Sequence, residues 1–123
     1  MMKEEKMKQK KLNELWEKFL EQQPTNEDLR DIIRWVEPLR EQVWQKLLEQ
    51  QPTNGDLCYI IEHVEPLREQ AWQKLLEQNP TKRQLDYIID HVEPLRKKAR
   101  ELLEMESSKK AIIREIQRLL WYR

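Results

Sequence analysis

Apolar residues recur at spacings of three and four along almost the whole chain, the pattern of helices that bury one face. The first such set is Leu12, Leu15, Trp16, Phe19 and Leu20. Two further sets follow: Leu29, Ile32, Ile33 and Val36, then Leu39, Val43, Leu47 and Leu48 with Trp44 beside them. Both return 28 residues later, as Leu57, Ile60, Ile61 and Val64, then Leu67, Ala71, Leu75 and Leu76 with Trp72. The first of them returns once more as Leu85, Ile88, Ile89 and Val92.

The recurrence extends to nearly every residue. The stretches from Pro38 to Glu65 and from Pro66 to Glu93 differ at 7 of 28 positions. Prolines mark the period twice, at Pro24, Pro52 and Pro80 and at Pro38, Pro66 and Pro94. After each member of the first series a threonine is placed to cap a helix: Thr25 with Asp28, Thr53 with Asp56, and Thr81 with Gln84. A hydroxyl three residues ahead of a carboxylate or carboxamide forms a capping box, in which each side chain satisfies the other's backbone N–H.

The second series, in Val-Glu-Pro-Leu-Arg, separates one helix from the next, because proline suits a first helical turn and costs ~3 kcal/mol in a helix interior. The predicted fold is all-α, a short right-handed α-solenoid of about four helix pairs. The alternative is a bundle of long helices kinked at Pro38, Pro66 and Pro94, since Leu29, Ile32, Val36, Leu39 and Val43 stay in phase across Pro38. Residues 1–10 form a polar extension, and 11–123 one helical-repeat domain, with repeats at about 11–37, 38–65, 66–93 and 94–123. The fourth repeat is degenerate: Arg100 stands where tryptophan did, and Glu104 replaces a leucine. Ser107 or Ser108 is expected to cap a last helix with Ile113, Ile116 and Leu120 facing inward. Helices this short are marginal in water alone, so each pair needs its neighbour.

Composition narrows the function. Lys plus Arg is 23 and Asp plus Glu is 23, so a zero net charge gives no electrostatic reason to expect nucleic acid or an anionic membrane as partner. A single cysteine, Cys58, fits a reducing compartment, and a cytoplasmic location is expected. No apolar run approaches the ~18 residues of a membrane span. The sequence lacks G-x-S-x-G, H-E-x-x-H, C-x-x-C and any glycine-rich phosphate loop, with Gly55 its one glycine. Neither an enzyme nor a cofactor is expected.

The pattern resembles the α-solenoid class, the tetratricopeptide and HEAT-like repeats, although its period is shorter than the ~34 and ~40 residues of those repeats. The motif A/V-W-x-K-L-L-E-Q-x-P-T is also similar to helical repeats attached to some bacterial signalling NTPases. The class implies a protein or peptide partner bound along an extended surface. The small divergence between copies is equally compatible with recent duplication or with a designed array that assembles with itself and takes no external ligand.

Candidate residues emerge from the repeat. Tyr59 and His63 lie four apart on one helix, and Tyr87 and His91 repeat them, where the first copy has Asp31 and Trp35. They form a recognition stripe with Arg34 and Trp35, or else they pack between layers of helices. His63 and His91 lie in separate repeats, so no metal site is expected. Trp16, Trp44 and Trp72 are read as spacers between helices, and Arg40, Arg68 and Arg96 as a solvated ion-pair face with Glu37, Glu65 and Glu93. At the C-terminus, Ile112, Leu119, Trp121 and Tyr122 spread apolar surface over more than one face, and a contact with another copy of the chain is expected there.

Overall fold

The computed structural model describes residues 2–121, and among them the chain is helix and turn with no strand. Seven α-helices succeed one another among those residues: α1 (Met2–Glu21), α2 (Asn26–Trp35), α3 (Arg40–Glu49), α4 (Asn54–His63), α5 (Arg68–Glu77), α6 (Lys82–His91) and α7 (Arg96–Trp121). Three 3-10 turns, Glu37–Leu39, Glu65–Leu67 and Glu93–Leu95, lead into α3, α5 and α7. The chain divides into two compact units, with α1–α5 in the first and α6–α7 in the second.

All three capping boxes form. The Thr25 hydroxyl accepts the Asp28 N–H at 3.2 Å while the Asp28 carboxylate accepts the Thr25 N–H at 3.0 Å. The pairs Thr53–Asp56 and Thr81–Gln84 repeat this geometry. The helices break at the second proline series as expected. Val36, Val64 and Val92 leave helical geometry, and Pro38, Pro66 and Pro94 sit in the first turn of the next helical segment, where a missing N–H costs nothing. The kinked-rod alternative therefore does not hold.

The arginine row has a different role from the solvated ion pairs expected of it. Arg40 Nε–H donates to the Ile33 carbonyl at 2.8 Å, Arg68 to Ile61 at 2.7 Å, and Arg96 to Ile89 at 2.8 Å. A second N–H of Arg40 reaches the Arg34 carbonyl, and one of Arg68 the Glu62 carbonyl. The carbonyls at a helix C-terminus have no partner within the helix and carry its negative end. Each arginine, arriving just past the proline, satisfies at least one of them and ties the start of the next helix to the end of the last.

Within the first unit α2 packs on α3, α4 packs on α5, and α2 lies against α4. Leu29, Ile33, Val43, Leu47, Leu57 and Ile61 are buried there, as the spacing predicts. Two carboxamides tie each turn to the copy before it. Gln50 donates to the Pro24 carbonyl and to Asn26 Oδ1, and Gln78 to the Pro52 carbonyl and to Asn54 Oδ1. The α3 and α5 backbones do not approach within 8 Å. Trp44 is buried, and its indole N–H reaches Gln70 Oε1 of α5 at 3.1 Å.

α1 is one continuous helix, in which residues 3–10 are exposed to solvent. Of its apolar set only Trp16 is buried; Leu15 is exposed, and Leu12, Phe19 and Leu20 are half-buried. In the second unit α6 packs on α7 and on the 3-10 turn before it, with Leu85, Ile88, Leu95 and Ala99 buried.

The fourth helix pair does not form. α7 runs unbroken through Ser107 and Ser108, so no cap stands there, and Ile113, Ile116 and Leu120 are exposed rather than inward. The reason lies in what ends the equivalent helices. After α1, α3 and α5 the chain turns through left-handed residues, Gln23, Gln51 and Asn79, each followed by proline. The counterparts of Asn79 and Pro80 are Ser107 and Ser108, which neither require that turn nor remove a backbone donor. Serine in a helix interior costs only a few tenths of a kcal/mol more than a good helix former, about a tenth of what proline costs.

Candidate functional site

The contact of α2 with α4 gathers four of the six predicted stripe residues. Tyr59, half-buried on α4, is the hub. Arg34 Nη1–H donates to the Tyr59 hydroxyl at 3.3 Å. The same guanidinium lies 4.6 Å over the Trp35 ring and 5.9 Å from the centre of the Tyr59 ring. Arg30 lies over the Tyr59 ring as well, its guanidinium carbon 4.9 Å from the ring centre. His63 meets Tyr59 at 4.7 Å between centroids and turns Nε2 toward the Glu62 carboxylate at 3.5 Å.

Local sequence explains the placement. Arg30 and Arg34 are four apart on α2, as are Tyr59 and His63 on α4, so each pair stacks along one helix face. Trp35 is the last residue of α2, where the chain is about to leave helical geometry, and it stands 72% exposed. Arginine on an aromatic face contributes about 0.5–1 kcal/mol at exposed sites. That biases the Trp35 ring toward this position by about two- to fivefold without covering it.

Asp56 lies beneath the cluster as the one buried charged residue among those described. Its carboxylate completes the α4 capping box, accepts from Asn26 Nδ2 at 3.1 Å and stands 3.4 Å from Arg30 Nη1. Arg30 Nε–H is buried without a hydrogen-bond acceptor, so the ion pair and the Tyr59 face are what hold that guanidinium. The capping role of Asp56 is legible from spacing. Its reach to α2 is not, because nothing in the sequence says which copies face each other through that side.

The remaining two stripe residues form a separate pair in the second unit. Tyr87 and His91 stack at 4.2 Å and 26°, and His91 Nδ1–H donates to the Tyr87 carbonyl at 3.0 Å. Both residues are exposed. Ile112, Leu119 and Trp121 lie fully at the surface on α7, while Tyr122 falls outside the described residues.

Cys58, next to Tyr59 in the sequence, is a free and buried thiol. Burial, and then the neighbouring Glu62 carboxylate, push its thiol up to about 11. At pH 8 such a thiol is roughly one part in a thousand thiolate, against about one in four for an ordinary cysteine. Alkylation by iodoacetamide at pH 8 is therefore expected to run at least about a hundredfold slower in the native protein than in urea, read by mass spectrometry. Equal rates would mean that Cys58 is not enclosed.

Among the described residues no group of three or more His, Cys, Asp or Glu is placed to hold a metal ion. No helix among them is long and apolar enough to cross a membrane. The cluster sets an exposed indole against a cation, with a phenol, an imidazole and carboxylates around it. No known protein family, curated protein or solved structure matches the chain.

Proposed function

We propose that the chain is a non-catalytic helical-repeat scaffold, a short right-handed α-solenoid, that binds a protein or peptide along its second-helix stripe. The observation that carries this reading is the Trp35–Arg34–Tyr59–His63 cluster, with Trp35 exposed yet held by a guanidinium. Tryptophan, tyrosine and arginine are the residues that anchor interfaces, because rigid amphipathic rings give contact area at small entropic cost. Within the second unit Tyr87 and His91 repeat the tyrosine–histidine pairing. That Cys58 is the one cysteine of the sequence, with no second one to pair with in the chain, supports a reducing location such as the cytoplasm.

The test is selection of peptides from a random displayed library, then calorimetry on the selected peptide. Trp35→Ala is expected to weaken binding about tenfold or more while leaving the helical circular dichroism intact. Selected peptides whose affinity is unchanged by both Trp35→Ala and Tyr59→Ala would remove the stripe as the binding surface. A second reading, self-assembly without an external ligand, is favoured by one separate feature, the apolar face of α7.

A further inference from the structure

α7 outruns the repeat. Its counterparts α3 and α5 have 10 residues each, whereas α7 has 26. From Glu104 to Trp121 every residue is exposed. Because the helix does not break at Ser107 and Ser108, six residues fall into one line along it: Leu102, Met105, Lys109, Ile112, Ile116 and Leu119. Their spacings alternate between three and four, the a and d positions of a heptad. Met105, Ile112, Ile116 and Leu119 are each more than half exposed.

We propose that this line is the seam of an antiparallel homodimer, in which α7 of one copy lies along α7 of a second. The surface is independent of the Trp35 cluster, so neither proposal depends on the other.

The choice of occupant rests on charge and spacing. The 3-4 alternation keeps the six positions on one narrow line, the seam geometry of a helix lying along another helix. The positions bordering the seam are Glu101, Ser108 and Glu115 on one side and Glu106, Ile113 and Leu120 on the other. They carry three carboxylates and no cation. A helix lying on an anionic bilayer has the opposite border, with lysine and arginine reaching for headgroups.

Orientation is set by the same residues. A parallel pair in register places Lys109 against the partner's Lys109 inside the seam, and Glu101 beside the partner's Glu106. The seam reads the same from either end in its spacing. An antiparallel pair therefore matches every member: Leu102 with the partner's Leu119, Met105 with the partner's Ile116, and Lys109 with the partner's Ile112. The lysine stem then covers an isoleucine, while its ammonium turns outward to Glu106 of its own chain, 3.8 Å away. With Ile113 and Leu120 beside it, the seam presents six large apolar side chains per copy, each more than half exposed in the single chain.

The experiment is sedimentation equilibrium on the full chain between about 1 and 100 μM, with the double variant Ile112→Asp, Ile116→Asp beside it. The wild-type chain is expected to be a dimer, and the variant's dissociation constant is expected to rise at least about a hundredfold. At concentrations where both proteins are monomeric, its helical circular dichroism should nearly match that of the wild type, since both side chains are exposed in the single chain. For orientation, Met105→Cys and Ile116→Cys are made separately in a Cys58→Ala background and mixed under mild oxidation. A disulfide between the two variants, with little between identical copies, is expected. Four results would overturn the proposal: a monomer at about 100 μM, a dimer indifferent to the aspartates, preferential self-crosslinking of Met105→Cys, or a monomer that binds phosphatidylglycerol vesicles through α7.

Discussion

Trp44→Ala is expected to destabilise the α1–α5 unit by about 3–5 kcal/mol, read as a lowered urea midpoint of tryptophan fluorescence or helical signal. The α3 and α5 backbones stay more than 8 Å apart, and the indole bridges them with only 1% of its surface exposed. Alanine removes the largest side chain in that gap, and short helices held at their ends by proline turns and arginine caps have little freedom to collapse into it. Trp44→Phe separates packing from the hydrogen bond to Gln70. Gln70 is exposed, so water can replace the lost indole donor, and phenylalanine should cost about 1–2 kcal/mol through volume alone. A change below about 1 kcal/mol for alanine would mean that the helices do not rest on this ring. Because repeat stability is carried by contacts between neighbours, amide exchange in α4, which packs directly on α5, should quicken as well.

Legibility in the chain divides by range. The capping boxes at Thr25, Thr53 and Thr81 are legible because both partners lie within one turn of sequence. The buried positions of α4 and α5 are legible because spacing fixes a helix face. Leu15, by contrast, has the right phase and is exposed, because phase names a face but not whether another helix covers it. The arginines at 40, 68 and 96 mislead for a similar reason. Glutamates close in sequence look like their partners, whereas the carbonyls they satisfy lie seven residues back across the proline turn. The end of the fold misleads through an absence. Ser107 and Ser108 resemble a cap, but a cap forms only where the preceding helix is made to stop, and the left-handed residue and proline that stop α1, α3 and α5 are both missing. At the candidate site, recurrence points to Tyr59, His63, Tyr87 and His91. The cross-copy contacts of Arg30, Arg34 and Asp56 depend on the stacking of α2 on α4, which no spacing within one copy encodes.

Asp56→Ala is expected to cost about 3 kcal/mol, against about 1 kcal/mol for Asp28→Ala or Gln84→Ala. The three side chains share one local job, accepting the N–H of the threonine three residues before. Losing a cap of that kind costs ~1 kcal/mol. Asp28 is exposed and Gln84 half-buried, whereas Asp56 is buried and also receives Asn26 and Arg30 from α2. Its removal leaves the Arg30 guanidinium, part of which is already without an acceptor, facing a cavity with no countercharge. The penalty stays below the 3–5 kcal/mol of a fully buried broken pair because the Arg30 side chain keeps 22% of its surface in water. Asp56→Asn keeps an acceptor for the cap and loses the charge, so an intermediate loss is expected. A double-mutant cycle with Arg30→Met should return a coupling of about 1–2 kcal/mol. If Asp56→Ala proves no worse than Asp28→Ala, the carboxylate does not join α2 to α4, and the Arg30–Tyr59 contact built above it must be held by something else.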